Sequence, residues 1–199
     1  MRGGGPAPER RKWWTLTAVC VPLFLVALNS TAVNTALPAI SDQLDTSTAN
    51  LAWVVNAYLL VTAAVVVLGG QFGDMFGRRR MFLLGVVVFA VASVVIATGD
   101  SEIQLVAGRG LQGLAAAFIL PGSMALIGVA FPPGERASAM GIWAAIAGLG
   151  FALGPVFGGV LTDTLGWEWV WWANLPATAL AIPLILYAVA ESRDESMPR

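Results

Sequence analysis

Six apolar runs separated by short polar breaks take up nearly the whole chain, and no other feature constrains its fold as strongly. A helix that crosses the hydrocarbon core of a bilayer takes about 20 apolar residues. In lipid, a helix is also one of the two structures that satisfy every backbone polar group internally. The runs lie near 14–37, 50–71, 81–98, 103–124, 138–162 and 169–190. They predict an all-α membrane protein: a six-span bundle over 13–190, a polar tail at 1–12, and a second tail or the start of a linker at 191–199. Composition agrees, because 12% of the 199 residues are charged, against about 25% in a soluble domain. The first run follows Arg10-Arg11-Lys12, as the core of a signal peptide would. Its length and the five runs after it predict a retained span instead. Cys20 is the one cysteine and there is no histidine, so an intrachain disulfide and the usual proton shuttle near neutral pH are both excluded.

Orientation follows from lysine and arginine, which mark the cytoplasmic side. With the N-terminus inside, the inner segments hold Arg2, Arg10, Arg11, Lys12, Arg78, Arg79, Arg80, Arg136, Arg193 and Arg199. The outer loops hold only acids: Asp42, Asp45, Asp100, Glu102, Asp163 and Glu168. Both termini are therefore expected in the cytoplasm, and the expected location is the cell membrane. Arg109 is the one basic residue left inside a span.

The chain also repeats itself. Gly69-Gly70-Gln71-Phe72-Gly73-Asp74-Met75-Phe76-Gly77 reads GGxxxDxxG, and so does Gly158-Gly159-Val160-Leu161-Thr162-Asp163-Thr164-Leu165-Gly166, 89 residues further on. The same offset carries the start of span one onto the start of span four. Three spans separate the copies, so one loop faces the cytoplasm and the other faces outside. That is the pattern of a three-plus-three inverted repeat.

Four stretches carry candidate function. The loop from Gly70 to Arg80 places Gly70, Gly73 and Gly77 around Asp74, followed by Arg78 and Arg79. Glycines let helix ends approach closely, and Asp74 is a candidate acceptor for helix N-terminal amides or a partner for a nearby arginine. A purely topogenic basic loop needs no such spacing. In span four, Gln112 and Gly113 follow Arg109 by three and four residues and so share its helical face. That face either packs against another helix or lines a cavity; the plainer alternative is an arginine snorkelling to the outer interface. Intramembrane ionisable residues usually mark a transport pathway. In span five, Gly150, Gly154 and Gly158 form one small-residue stripe, with Gly159 adjacent and Pro155 inviting a kink. Span one offers Asn29 and Asn34, and span two Asn56 and Tyr58, as further polar candidates. Asn29 and Arg109 lie at similar depth, which makes a contact between them geometrically feasible. The tryptophans of Trp167-Glu168-Trp169-Val170-Trp171-Trp172 are expected mostly as an interface belt.

These stretches, in this order, resemble signatures of the major facilitator superfamily. The loop around Asp74 resembles its signature between helices two and three, which in the family clamps one transporter conformation. The stretch Leu105–Ala117 resembles a signature frequent in proton-coupled members, and Gly150–Gly159 one associated with antiporters. Leu28–Pro38 and Trp167–Pro176 are similar to the fourteen-span drug/proton antiporter branch. The departures are Met75 and Glu168, where arginine is common, and Asn29, where many members have aspartate. The resemblance runs from about Trp13 to Glu191 and covers only the first half of a typical member.

It implies half of a major facilitator fold, moving a small molecule by alternating access in proton-coupled drug or metabolite efflux. A second half of six or eight helices is then the expected partner, besides the bilayer and the substrate. The chain is read as a fragment, a truncated product, or a protein completed by pairing. The alternative reading is a stand-alone six-span protein that pairs with itself or regulates an intact transporter. No nucleophile–base pair, metal-ligand cluster or nucleotide loop is visible, so neither an enzyme nor a cofactor is expected, and no nucleic-acid partner. No filter segment of a channel is visible either.

Overall fold

A computed structural model describes residues 8–193 and is helical throughout them apart from short connections. Arg2 and Arg199, counted above toward orientation, lie outside the described residues. The helices are α1 (Pro8–Leu44), α2 (Thr48–Phe76), α3 (Arg78–Ala97), α4 (Glu102–Ala130), α5 (Pro133–Leu165), α6 (Trp169–Trp172) and α7 (Asn174–Ala188). α6 and α7 together form the sixth span, interrupted by a turn at Ala173. Six spans are thus long and apolar enough to cross a membrane, and the chain is a multi-pass membrane protein.

Most helices outrun the apolar segments that predict them. α1 has 37 residues, or about 55 Å at 1.5 Å per residue, well beyond a core of about 30 Å. Backbone hydrogen bonding continues into the polar flanks, where hydropathy stops reporting it. Local signals set the ends. The Ser47 hydroxyl accepts a hydrogen bond from Asn50 N at 3.3 Å and caps α2. Pro133 opens α5 with Glu135 in its first turn, beside the positive end of the helix dipole. Lys12 then joins the starts of α1 and α5, with Glu135 at 2.7 Å and Glu9 at 3.0 Å.

α1 is the central helix, with 72% of its most apolar window buried, against 17% for α2 and for α5. The two most extensive helix contacts are α1 with α5 and α2 with α4. An inverted repeat that maps α1 onto α4 and α2 onto α5 requires these two to be counterparts. The repeated glycines agree in detail. Gly77 and Gly166 close α2 and α5 with φ of +112° and +107°, a region that residues with a Cβ avoid.

The core has one cluster around Phe82, Phe89, Ala115 and Ile185, and a second around Val33, Ile96, Leu105 and Trp171. Between them lies a layer of buried polar side chains.

Candidate functional site

The polar layer is built by four helices that each contribute one or two polar groups between apolar turns. Asn29 comes from α1, Ser93 from α3, Arg109 and Gln112 from α4, and Asn174 from the start of α7. All five are essentially inaccessible. Asn29 and Asn174 pair reciprocally, Nδ2 to Oδ1 at 2.8 Å one way and 3.0 Å the other. The second amide hydrogen of Asn29 goes to Leu25 O at 2.9 Å, and that of Asn174 to Ser93 Oγ at 3.1 Å. Ser93 Oγ accepts a second bond from Gln112 Nε2 at 3.1 Å and donates to Phe89 O at 2.8 Å. Gln112 Oε1 accepts from Arg109 Nη1 at 2.8 Å and from Trp171 Nε1 at 3.3 Å. The Arg109 guanidinium lies over the Tyr58 ring, 4.3 Å from its centroid, and Nε donates to Val54 O at 3.1 Å.

A charge at this depth is tolerated only where protein groups replace water. The carbonyl, the amide and the π-face of Tyr58 do so here. Nη2 of Arg109 has no hydrogen-bond partner among the described residues. Arg109 therefore does not snorkel. Its helical face packs against α2, where a Cβ on Gly113 would come within 2.5 Å of Tyr58 O.

Asn29, Tyr58, Arg109 and Gln112 lie together in the bundle, but Asn29 meets Arg109 through Asn174, Ser93 and Gln112 rather than directly. Asn34 and Asn56 are exposed and stand apart from the layer; Asn34 bonds only to Thr31 O, at 3.3 Å, among the described residues. Ser93 and Asn174 are the members that the sequence reading missed. Trp167 and Trp171 also depart from the expected interface belt: both are buried, and Trp167 Nε1 donates to Gln43 Oε1 at 2.6 Å. Trp169 is half-exposed, as a belt residue should be.

The connection between α2 and α3 forms a second constellation. Asp74 pairs with Arg78 one turn on, at 2.6 Å to Nη2 and 2.7 Å to Nε. It does not cap α3. Gly77 supplies no side-chain cap either, and the acid at the start of α3 is Glu191, from the segment beyond α7. Its Oε1 accepts from Arg79 N at 3.1 Å, while Ser192 O accepts from Arg78 N at 2.8 Å. Glu191 Oε2 lies 3.5 Å from Arg80 Nε, and Arg79 Nη1 donates to Val189 O at 3.2 Å. A Cβ on Gly77 would stand 2.8 Å from Glu191 Oε1, so the glycine also makes room for the visiting carboxylate. Gly77 N donates to Gly73 O at 3.0 Å, and Gly70 lies against Pro121 of α4.

The span-five glycines divide in two. Gly150, Gly154 and Gly158 press onto α1, where added Cβ atoms would collide with backbone and side-chain atoms of Phe24 through Thr35. Gly159 faces open space, Pro155 is exposed, and α5 runs through that proline as one helix.

The family model of the Major Facilitator Superfamily matches residues 19–198. The chain belongs to the major facilitator superfamily. Among relatives in the superfamily, the tetracenomycin C resistance and export protein of Streptomyces glaucescens is 41% identical over 189 residues, covering 95% of this chain and 35% of the relative. The puromycin resistance protein of Streptomyces alboniger is 39% identical, over 88% of this chain and 35% of its own length. The multidrug resistance protein Stp of Mycobacterium tuberculosis is 39% identical, over 96% and 36%. The chain thus spans about a third of the length of the superfamily members it matches, and corresponds to their N-terminal part.

Proposed function

We propose that this bundle is one half of a secondary transporter that moves a small organic molecule out of the cell by alternating access. A second helical bundle completes it. The observation that carries this reading is the outer face of α5. Gly141, Ala145, Gly148, Ala152, Pro155 and Gly159 recur at helical spacing on one line, and it is turned away from α1. Small-residue lines are what transmembrane helices pack through, and this one has no partner in the bundle. α2, the repeat counterpart of α5, is equally uncovered.

Substrates are proposed to be drug-like, because the relatives are named for antibiotic export and resistance. Proton coupling rests on the resemblance of spans four and five to their signatures. The buried layer holds no carboxylate, so the proton carrier is assigned to the second bundle. The polar layer is proposed as the rigid floor of the pathway, with Arg109 buried behind Tyr58 and Val54 of α2 as the charge that holds α2 to it. The Asp74–Arg78 pair and the Glu191 contact are proposed as the cytoplasmic clamp. The bundle lies in the cell membrane with both ends in the cytoplasm.

The test is complementation. Reconstituted alone, the chain is expected to move no ethidium or puromycin; co-expressed with the remaining part of the tetracenomycin relative, it should. In that assembly Arg109→Ala is expected to abolish transport and Arg109→Lys to restore little, since lysine lacks the planar fork of donors. Transport by the chain as a monomer would overturn the half-transporter reading; transport only as a dimer would favour self-pairing.

A further inference from the structure

We propose that the groove between α1, α5 and α7 is a binding site for a single phospholipid, with its acyl chains in the groove and an anionic headgroup at Arg10. This rests on the chain lying in a membrane, not on the transport reading. The groove encloses about 1060 Å³ and is lined almost wholly by apolar side chains, among them Trp13, Cys20, Phe24, Ile142, Val160 and Ala177. Along α1 it runs from Trp13 to Leu28, or about 22 Å at 1.5 Å per residue. It therefore begins at the cytoplasmic edge and reaches past the middle of the bilayer.

The space is specific to this side of the molecule. In the repeat-related position, among α4, α2 and α3, large side chains close the gap: Phe82 lies against Gly122, Phe118 against Gly85, and Ile96 against Gly108. α1 meets α7 far less extensively than α4 meets α3.

The chemistry of α5 selects lipid over a helix as the occupant. Its edge of the groove carries Ile142, Leu153, Val156 and Val160, all exposed. These are bulky aliphatics that suit acyl chains and hold another helix at a distance. Its small-residue line, the surface suited to a helix, is a different face.

Charge selects the headgroup. Arg10 precedes Trp13 by three residues and so lies on the groove face of α1, one turn toward the cytoplasm. It is exposed and makes no hydrogen bond or ion pair with a described residue. The acids at the starts of α1 and α5, Glu9 and Glu135, are both engaged by Lys12. The cytoplasmic leaflet is the one that carries anionic lipid.

The experiment uses the protein purified in mild detergent and examined by native mass spectrometry after exchange with equal phosphatidylglycerol and phosphatidylcholine. One phospholipid per chain should remain bound, enriched in phosphatidylglycerol. Arg10→Gln should lower that preference about fivefold without removing the lipid. Ala177→Trp should expel it, whereas Gly148→Trp, on the other face of α5, should not. Independently of any variant, phosphatidylglycerol with a photoreactive acyl chain should cross-link within residues 13–28 or 142–161. Retention that survives Ala177→Trp, no retained lipid in the unsubstituted protein, or cross-links spread evenly around the bundle would each overturn the proposal.

Discussion

Ser93 matters more to the polar layer than its size implies. Its one oxygen receives the amides of Gln112 and Asn174 and hands its own proton to Phe89. Ser93→Ala leaves two buried donors without their acceptor, and hydrogen bonds between transmembrane helices contribute about 0.6–1.7 kcal/mol each. A loss of about 1–2 kcal/mol is expected, read as a lower unfolding midpoint in detergent, while Asn34→Ala at its exposed site should leave the midpoint unchanged. Arg109 and Gln112 were legible in the sequence because a charge inside an apolar run is conspicuous and its helical neighbour shares its face. Ser93 was not. A lone serine between Ala92 and Val94 reads as one more small residue, and only the packing of α3 against α4 and α7 shows what it holds. Asn174 was hidden differently, among tryptophans at the start of span six that read as an interface belt.

Among the elements, α3 is the one whose first turn is completed from elsewhere. Removing a helix cap costs about 1 kcal/mol. Glu191→Ala is therefore expected to speed hydrogen exchange of the first-turn amides about fivefold, with Glu191→Gln in between because it keeps an acceptor. Exchange rates unaltered by Glu191→Ala would mean that Ser192 O alone holds the turn. α5 supports a second comparison. Gly154→Val drives a side chain into Thr31 and Leu28 O and should prevent a folded bundle, whereas Gly159→Val meets open space and should leave folding intact. Size-exclusion profiles of the two variants make the check. The stripe formed by Gly150, Gly154 and Gly158 could be read from spacing alone, since small residues four apart share a face. The helix ends could not, because Asp42 and Gln43 are polar yet still helical, beyond the reach of the bilayer. Asp74 was offered as a cap or as a partner for a nearby arginine, and it is the partner of Arg78; the cap itself could not be read. The residue that caps, Glu191, lies more than a hundred positions away.

At the scale of the whole molecule, the inverted repeat ties sequence to architecture. The GGxxxDxxG copies were visible as letters, and they appear in space as two helix ends closed by glycines of the same unusual φ. The copies have also diverged: arginines follow only the first one, and the space beside α1 is open where its counterpart is packed. Neither difference in packing nor the exposure of α2 and α5 could be read from hydropathy, which scores a lipid-facing helix and a protein-facing helix alike. The proposed orientation has a direct check. Cysteine placed at Asp42 should react with an impermeant maleimide in intact cells, and cysteine at Arg80 only after the membrane is opened; the reverse result would invert the topology. The cap on α3 also sets an order of events during synthesis. Glu191 is translated after all six spans, so α3 enters the membrane with its first turn unfinished and keeps it so while the ribosome makes three more spans. The turn between α2 and α3 is thus among the parts of the early chain that are completed only when the sixth span has arrived and docked.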